Sequence, residues 1–158
     1  MLDRLNRHEM LMDMVHTAAQ RSTCMRHSVG CIIARDGRPI VMGYNGAPAG
    51  KPHCTPENCG EKPCTNAVHA EANAIAYAAR KGIVLEGAWL YCLYSPCQKC
   101  AELILGAGIQ AVIFENLYRD IKPLDFMHYD ISVSNRVLIY QMDSPGEGGH
   151  QNIIRYFQ

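Results

Sequence analysis

Two short segments, His69-Ala-Glu71 and Pro96-Cys97-Gln-Lys-Cys100, constrain this chain most, because its fold must bring both to one point. One imidazole and two thiolates make three ligands of the kind zinc prefers, and they leave a fourth tetrahedral position open to water. That open position separates a catalytic zinc site from a closed structural one. Glu71, two residues from the histidine, reads as a proton carrier rather than a ligand. Each half alone is weak. An isolated His-x-Glu is usually surface or core, and an isolated Cys-x-x-Cys serves as a redox pair or half a structural zinc site. A redox pair would work without metal and would leave His69 and Glu71 unexplained. Together, in this order, the halves point to catalytic zinc.

The local patterns say how the halves can meet. Leu5, Met10, Leu11, Met14, Val15 and Ala18 recur at near-helical spacing and predict an amphipathic helix over residues 3–21. Residues 28–35 and 39–44 read as strands joined by an Asp36-Gly37 hairpin turn. A loop rich in proline, glycine and cysteine follows from 46 to 67. Residues 69–81 are alanine-rich and predict a helix stopped by Gly82; a strand over 88–94 precedes a helix over 96–106, with Pro96 near its first position. Strands over 109–114 and 136–142 flank a short helix over 123–128. Strands alternating with helices imply one α/β sheet domain over residues 1–158, with a glycine-rich tail from about Ser144 expected to be poorly ordered. Both motif halves then open a helix. Cys97 and Cys100 share a helix face, and His69 and Glu71 can share a cavity if the first turn points into it end-on. Two helix N-termini aimed at the metal favour thiolates and a deprotonated water.

Charge narrows the ligand. Lysine plus arginine equal aspartate plus glutamate at 15 each, a balance that suits a mononucleotide better than a long polyanion. No apolar run approaches a membrane span and the N-terminus has no signal-peptide core, so a cytoplasmic address is expected. In such a compartment the eight cysteines read as metal ligands and buried thiols before disulfides. Cys31 and Cys92, inside predicted strands, read as apolar fillers.

His69-Ala-Glu-Ala-Asn-Ala-Ile, Ser95-Pro-Cys-Gln-Lys-Cys and Gly43-Tyr-Asn-Gly46 together resemble the deoxycytidylate (dCMP) deaminase branch of the cytidine/deoxycytidylate deaminases, as does Arg21-Ser-Thr-Cys-Met-Arg26 followed by Ser28-Val-Gly30. The similarity covers about residues 10–120. It implies a cytidine deaminase-like three-layer fold, a five-stranded mixed sheet flanked by helices with zinc between two helix starts. It implies hydrolysis of dCMP to dUMP and ammonia, with Glu71 carrying the proton from water to the ring and then to the departing amine. It also implies a homo-oligomer, commonly a hexamer, activated by dCTP and inhibited by dTTP with Mg2+.

The same resemblance carries roles onto further positions. Asn45 matches the deoxyribose hydroxyl contact, though locally it reads equally well as a turn residue. Arg26 and Ser28 match the 5′-phosphate contacts, against the alternative of a solvated arginine at a helix end. Ala70 is placed with the substrate contacts, and Tyr118 and Arg119 sit where the family closes over substrate. Gly43, Tyr44 and Gly46 match a regulatory nucleotide site, since glycines let a backbone approach phosphates. Cys24, Cys54, Cys59 and Cys64 offer a second, structural zinc site. Their spacing is a poor argument for it; family members often place one there, Cys24 and Cys54 match, and His53 is a spare ligand. The rival readings are deamination of free cytidine or of adenosine in tRNA, and a catalytically silent nucleotide-binding module. Neutral charge and Gly43-Tyr-Asn-Gly46 count against tRNA, and an intact Glu71 counts against a silent module.

Overall fold

Asn6 sets where the chain first becomes helical. Its side-chain oxygen accepts from the backbone N–H groups of His8 and Glu9 at 2.9 and 3.0 Å, and the Glu9 carboxylate accepts from the Asn6 N–H at 2.9 Å. This capping box fixes α1 as Arg7–Ala19, so the helix begins later than apolar periodicity alone predicts. The structure is a computed structural model describing residues 4–57, 59, 64, 66–119, 121–128, 137–143 and 153–155. After α1 come β1 Gly30–Arg35, β2 Arg38–Tyr44, α2 Ala70–Lys81, β3 Trp89–Tyr94, α3 Gln98–Gly106, β4 Ala111–Asn116, α4 Lys122–His128, β5 Leu138–Met142 and β6 Ile153–Arg155.

The strands form one mixed sheet in the order β2-β1-β3-β4-β5-β6. β1 runs antiparallel to β2 and β3, β3 to β5 run parallel, and β6 returns antiparallel on β5. Asp36 and Gly37 both take positive φ, 53° and 72°, as the tight β1–β2 hairpin requires. All five expected strands are present. The tail, expected to be poorly ordered, adds the sixth at an edge; its remaining residues, 144–152 and 156–158, lie outside the described residues.

Alternation along the central strands makes the fold three-layered. Cys31, Ile33, Leu90, Cys92, Val112, Phe114 and Ile139 face a core closed by α2, α3 and α4. Ile32, Ala34, Tyr91, Leu93 and Ile113 face the other way, onto Leu11, Met12, Val15 and Ala18 of α1. With both faces covered, the central strands read as continuous apolar runs rather than as an alternation of apolar and polar residues. Gly82 closes α2 in the left-handed conformation at φ 66°, as the sequence predicts. No helix among the described residues is long and apolar enough to cross a membrane.

The α1 face carries a titratable group whose behaviour is testable. The His8 ring stacks on Trp89 with centroids 5.6 Å apart, and its Nδ1 lies 2.9 Å from the Tyr91 hydroxyl. Burial, then the charge of Arg7, holds its pKa below the ordinary 6.5. The unfolded chain therefore binds this proton more readily, and the His8 contribution to stability is lost as pH falls from about 6.5 through the lower folded value. Titration of the His8 ring followed by NMR is expected to show a midpoint below 6.5. A midpoint at or above that value would contradict the packing described.

Candidate metal centre and active site

The starts of α2 and α3 meet, the second just past the end of the central strand β3. His69 is the N-cap of α2 and Cys97 the N-cap of α3, both with extended backbone, ψ 154° and 169°. An N-cap side chain ordinarily turns in to accept from the free N–H groups of its helix. Neither of these makes that bond. The two side chains point outward to each other, with His69 Nδ1 3.4 Å from Cys97 Sγ and 3.5 Å from Cys100 Sγ. The three ligand atoms lie within 4.8 Å of one another. Tetrahedral zinc, with bonds of ~2.0–2.1 Å to nitrogen and ~2.3 Å to sulfur, would place nitrogen and sulfur roughly 3.5 Å apart. The residues present fit the metal.

Pro96 stands before Cys97 and outside α3, not at its first helical position. Were it inside, Cys97 would lie along the flank of the helix. As N-cap, Cys97 points end-on beside His69.

Electrostatics leave one thiolate of the triad ready for a cation. Hydrogen bonds from Cys100 and His69 hold the Cys97 thiol down at about 3. Cys100 keeps its proton, pushed up by that same bond and by burial. The bond to Cys97 raises the His69 pKa against the effect of its own burial. Glu71, in the first turn of α2, is only 6% exposed. Burial raises its carboxyl above the ordinary 4.5, while its own backbone N–H and His69 pull partly back. A buried carboxyl whose pKa is raised in this way holds a proton more readily than an exposed one, which suits general acid–base work. Cys31 and Cys92 are cross-strand partners, fully buried as expected; that burial, and after it the charge of nearby Glu71, raises both thiols.

Residues 5–116 match the family model described as the cytidine and deoxycytidylate deaminase zinc-binding region. The chain belongs to the cytidine and deoxycytidylate deaminase family. It is 39% identical over 120 residues to ComE operon protein 2 of Bacillus subtilis, a match covering 75% of this chain and 64% of that protein. It is 38% identical over 120 residues to the deoxycytidylate deaminase of Mycobacterium phage D29, covering 67% and 91%. The dCMP deaminase of cyanophage S-TIM5, solved with dCMP and dUMP, superposes with a TM-score of 0.73 at 29% identity, covering 85% of this chain and 95% of that one.

Around the triad the other expected residues fall into distinct places. Asn45 is buried and largely engaged: its Oδ1 accepts from Ser22 Oγ at 2.6 Å and Val29 N at 2.9 Å, and its Nδ2 donates to the His27 carbonyl at 2.8 Å. It latches the loop carrying half-buried Arg26 and exposed Ser28, and one amide hydrogen is left. Ser22, missed in the sequence, completes the latch and also accepts from the Cys24 N–H at 3.1 Å. Ala70, the first residue of α2, is fully buried in the core beneath that helix. Tyr118 and Arg119 follow β4, and the Tyr118 N–H donates to Ser95 Oγ at 2.7 Å, which ties them beside the Cys97 turn. Arg119 sits at φ 60° with its guanidinium 4.9 Å over the Tyr118 ring, and Tyr94 meets that ring edge-on at 6.4 Å. Ser95 is 2% exposed; only its place before Pro96-Cys97 hinted at its role.

Gly43 and Gly46 are buried and Tyr44 half-buried. Cys64 stands near the centre: bonds from the Asn66 and Ala67 backbone lower its thiol, and the charges of Arg26 and His69 add to that. Burial and then Cys24, Cys64 and Cys59 raise the Cys54 thiol, so the four share a neighbourhood. Among the described residues, however, only His69, Cys97 and Cys100 converge within ligand reach.

Proposed function

We propose that this chain is a cytoplasmic deoxycytidylate deaminase, converting dCMP and water to dUMP and ammonia. The observation that carries the reading is a His69, Cys97 and Cys100 triad of zinc-like spacing, with the buried Glu71 carboxyl in the same first turn. Zinc held there would lower the pKa of a water towards 7 and so supply the nucleophile for the amino-bearing carbon. Glu71 takes the water proton and delivers it to the neighbouring ring nitrogen, then takes the proton of the newly added hydroxyl and passes it to the departing amine. The carbon–nitrogen bond to the exocyclic amine breaks, and a carbonyl stands in its place.

The substrate assignment draws on the relatives' names and on the neutral charge. In this reading the remaining Asn45 amide hydrogen meets the deoxyribose hydroxyl, and Arg26 with Ser28 receives the 5′-phosphate. The buried start of α2 at Ala70 lines the base, and Tyr118 and Arg119 close over it. The reading extends to a homo-oligomer, commonly a hexamer. It includes dCTP as activator and dTTP as inhibitor, each with Mg2+, beside Tyr44 and its buried neighbours Gly43 and Gly46. A second, structural zinc on Cys24, Cys54, Cys59 and Cys64 would order the loop that borders the cleft.

Ammonia release from dCMP, cytidine, dCTP and an RNA stem-loop, with and without added dCTP or dTTP, tests this. The expected kcat/KM for dCMP exceeds that for cytidine by about 10–10²-fold, the scale of losing a charged hydrogen-bond partner. Equal turnover of cytidine, or turnover of the RNA alone, would overturn the substrate assignment.

A further inference from the structure

We infer that Gly43 is a positioning residue for the reaction, because its missing side chain lets α2 lie directly against β2 and so sets where His69 and Glu71 stand. A Cβ built at Gly43 would lie 2.8 Å from both the Cβ and the backbone nitrogen of Ala74, and closer still to the carbonyl oxygen of Ala70. Two of those three atoms are backbone of the first turns of α2, so no side-chain rotation relieves the collision. The chain ties the same junction again three residues on. Gly46 and Val68 form an isolated antiparallel bridge, with Gly46 N donating to Val68 O at 3.1 Å and Val68 N to Gly46 O at 2.9 Å. Val68 immediately precedes His69. The strand end holding Gly43 and Gly46 therefore fixes α2 from both sides, by a close approach at Ala70–Ala74 and by a backbone bridge at Val68. α3, with Cys97 and Cys100, follows β3 in the chain and packs on α4 as well as on α2, so it does not ride with α2 alone. Any shift of α2 along its contact with β2 moves His69 and Glu71 relative to the two sulfurs.

Gly30 supplies an internal comparison. It pairs with Tyr44 one register position away, and a Cβ there would lie 2.7 Å from Ala19 N and closer to Val15 O, both on α1. The same collision thus falls on the opposite face of the sheet, away from the triad. Both glycine-to-alanine changes cost stability, but only one displaces the reacting groups.

The inference rests on the proposed role of Glu71, and the test separates the two. Gly43→Ala and Gly30→Ala are compared with the native protein for dCMP turnover, for zinc content and, after replacement of zinc by cobalt, for the visible absorption of the metal. Expected for Gly43→Ala is a kcat lower by about 10²-fold, the loss typical of a misplacement near 1 Å, with little change in KM and a shifted cobalt spectrum. Gly30→Ala keeps native kcat and a native spectrum while its unfolding midpoint falls. If Gly43→Ala does not fold, Gly43→Ala with Ala74→Gly removes the side-chain part of the collision and leaves the backbone contacts at positions 70 and 74, with the same expected loss. A folded Gly43 variant with native kcat and a native cobalt spectrum would overturn the inference, as would an equal loss of kcat in Gly30→Ala. Should the native protein deaminate no pyrimidine nucleotide, the proposed function fails, and the cobalt spectra still decide the role of Gly43.

Discussion

Glu71→Gln is expected to lower kcat for dCMP by roughly 10²–10⁴-fold, the range supplied by a positioned acid–base group, with the metal retained. The amide fills the same volume but cannot carry a proton from water to ring. It leaves His69, Cys97 and Cys100 untouched, and their spacing alone meets the demands of zinc. Stability moves differently. Burial raises the Glu71 pKa, so the folded state holds this proton more tightly than the unfolded chain does. The contribution to stability is therefore present at low pH and lost as pH rises through the raised folded value. An uncharged amide never incurs that loss. The metal-free variant at about pH 8 is thus expected to unfold at or above the native midpoint. A large fall in turnover joined to undiminished stability is the signature of a catalytic group. Near-native turnover with zinc bound would remove Glu71 from the mechanism, and a collapsed unfolding midpoint would make its role structural.

The centre was legible in the sequence because its chemistry is local. His69 with Glu71, and Cys97 with Cys100, each lie within one helical turn, and helix signals beside them say which end they occupy. The strands were legible for a similar reason, since β-branched runs bounded by turn residues mark β1 to β5. What escaped depends on contacts between distant segments. The loop latched by Asn45 joins residues 22–29 to the end of β2, and nothing in Gly43-Tyr-Asn-Gly46 says that three amide bonds point back to that loop. The tight seat of α2 on Gly43 exists only once β2 lies beneath the helix. Ser95 accepts from Tyr118 across two strand ends, a pairing set by the parallel register of β3 and β4. β6 is three residues long, too short for alternation to reveal. The late start of α1 was within reach, because Asn6 and Glu9 spell a capping box that apolar periodicity overlooks.

Stripping the metal is expected to abolish turnover and to lower the unfolding temperature together. Without a cation, Cys97 and Cys100 hold one proton between two sulfurs, and the His69 nitrogen is spent on the thiolate. A cation bound to the folded state alone stabilises it by about 4 kcal/mol when its free concentration is a thousand times its Kd. For a chain of this size that amounts to roughly 8–16 °C in the midpoint. Binding must displace the Cys100 proton, and the His69 proton where it is present, because both pKa values are raised in the metal-free site. Affinity is therefore expected to fall as pH falls, with proton release on zinc addition measurable in a weakly buffered indicator solution. Cys97 adds little to that release near neutral pH, since its thiol is already held at about 3. Cys100→Ala should remove the catalytic metal and the proton release while leaving any zinc on Cys24, Cys54, Cys59 and Cys64 in place. Metal analysis of the native protein and this variant then counts the sites separately, two falling to one if the second zinc is present and one falling to none if it is not. Full turnover after chelation has emptied the triad would sink the zinc reading and return Cys97-Gln-Lys-Cys100 to the redox pair it otherwise resembles.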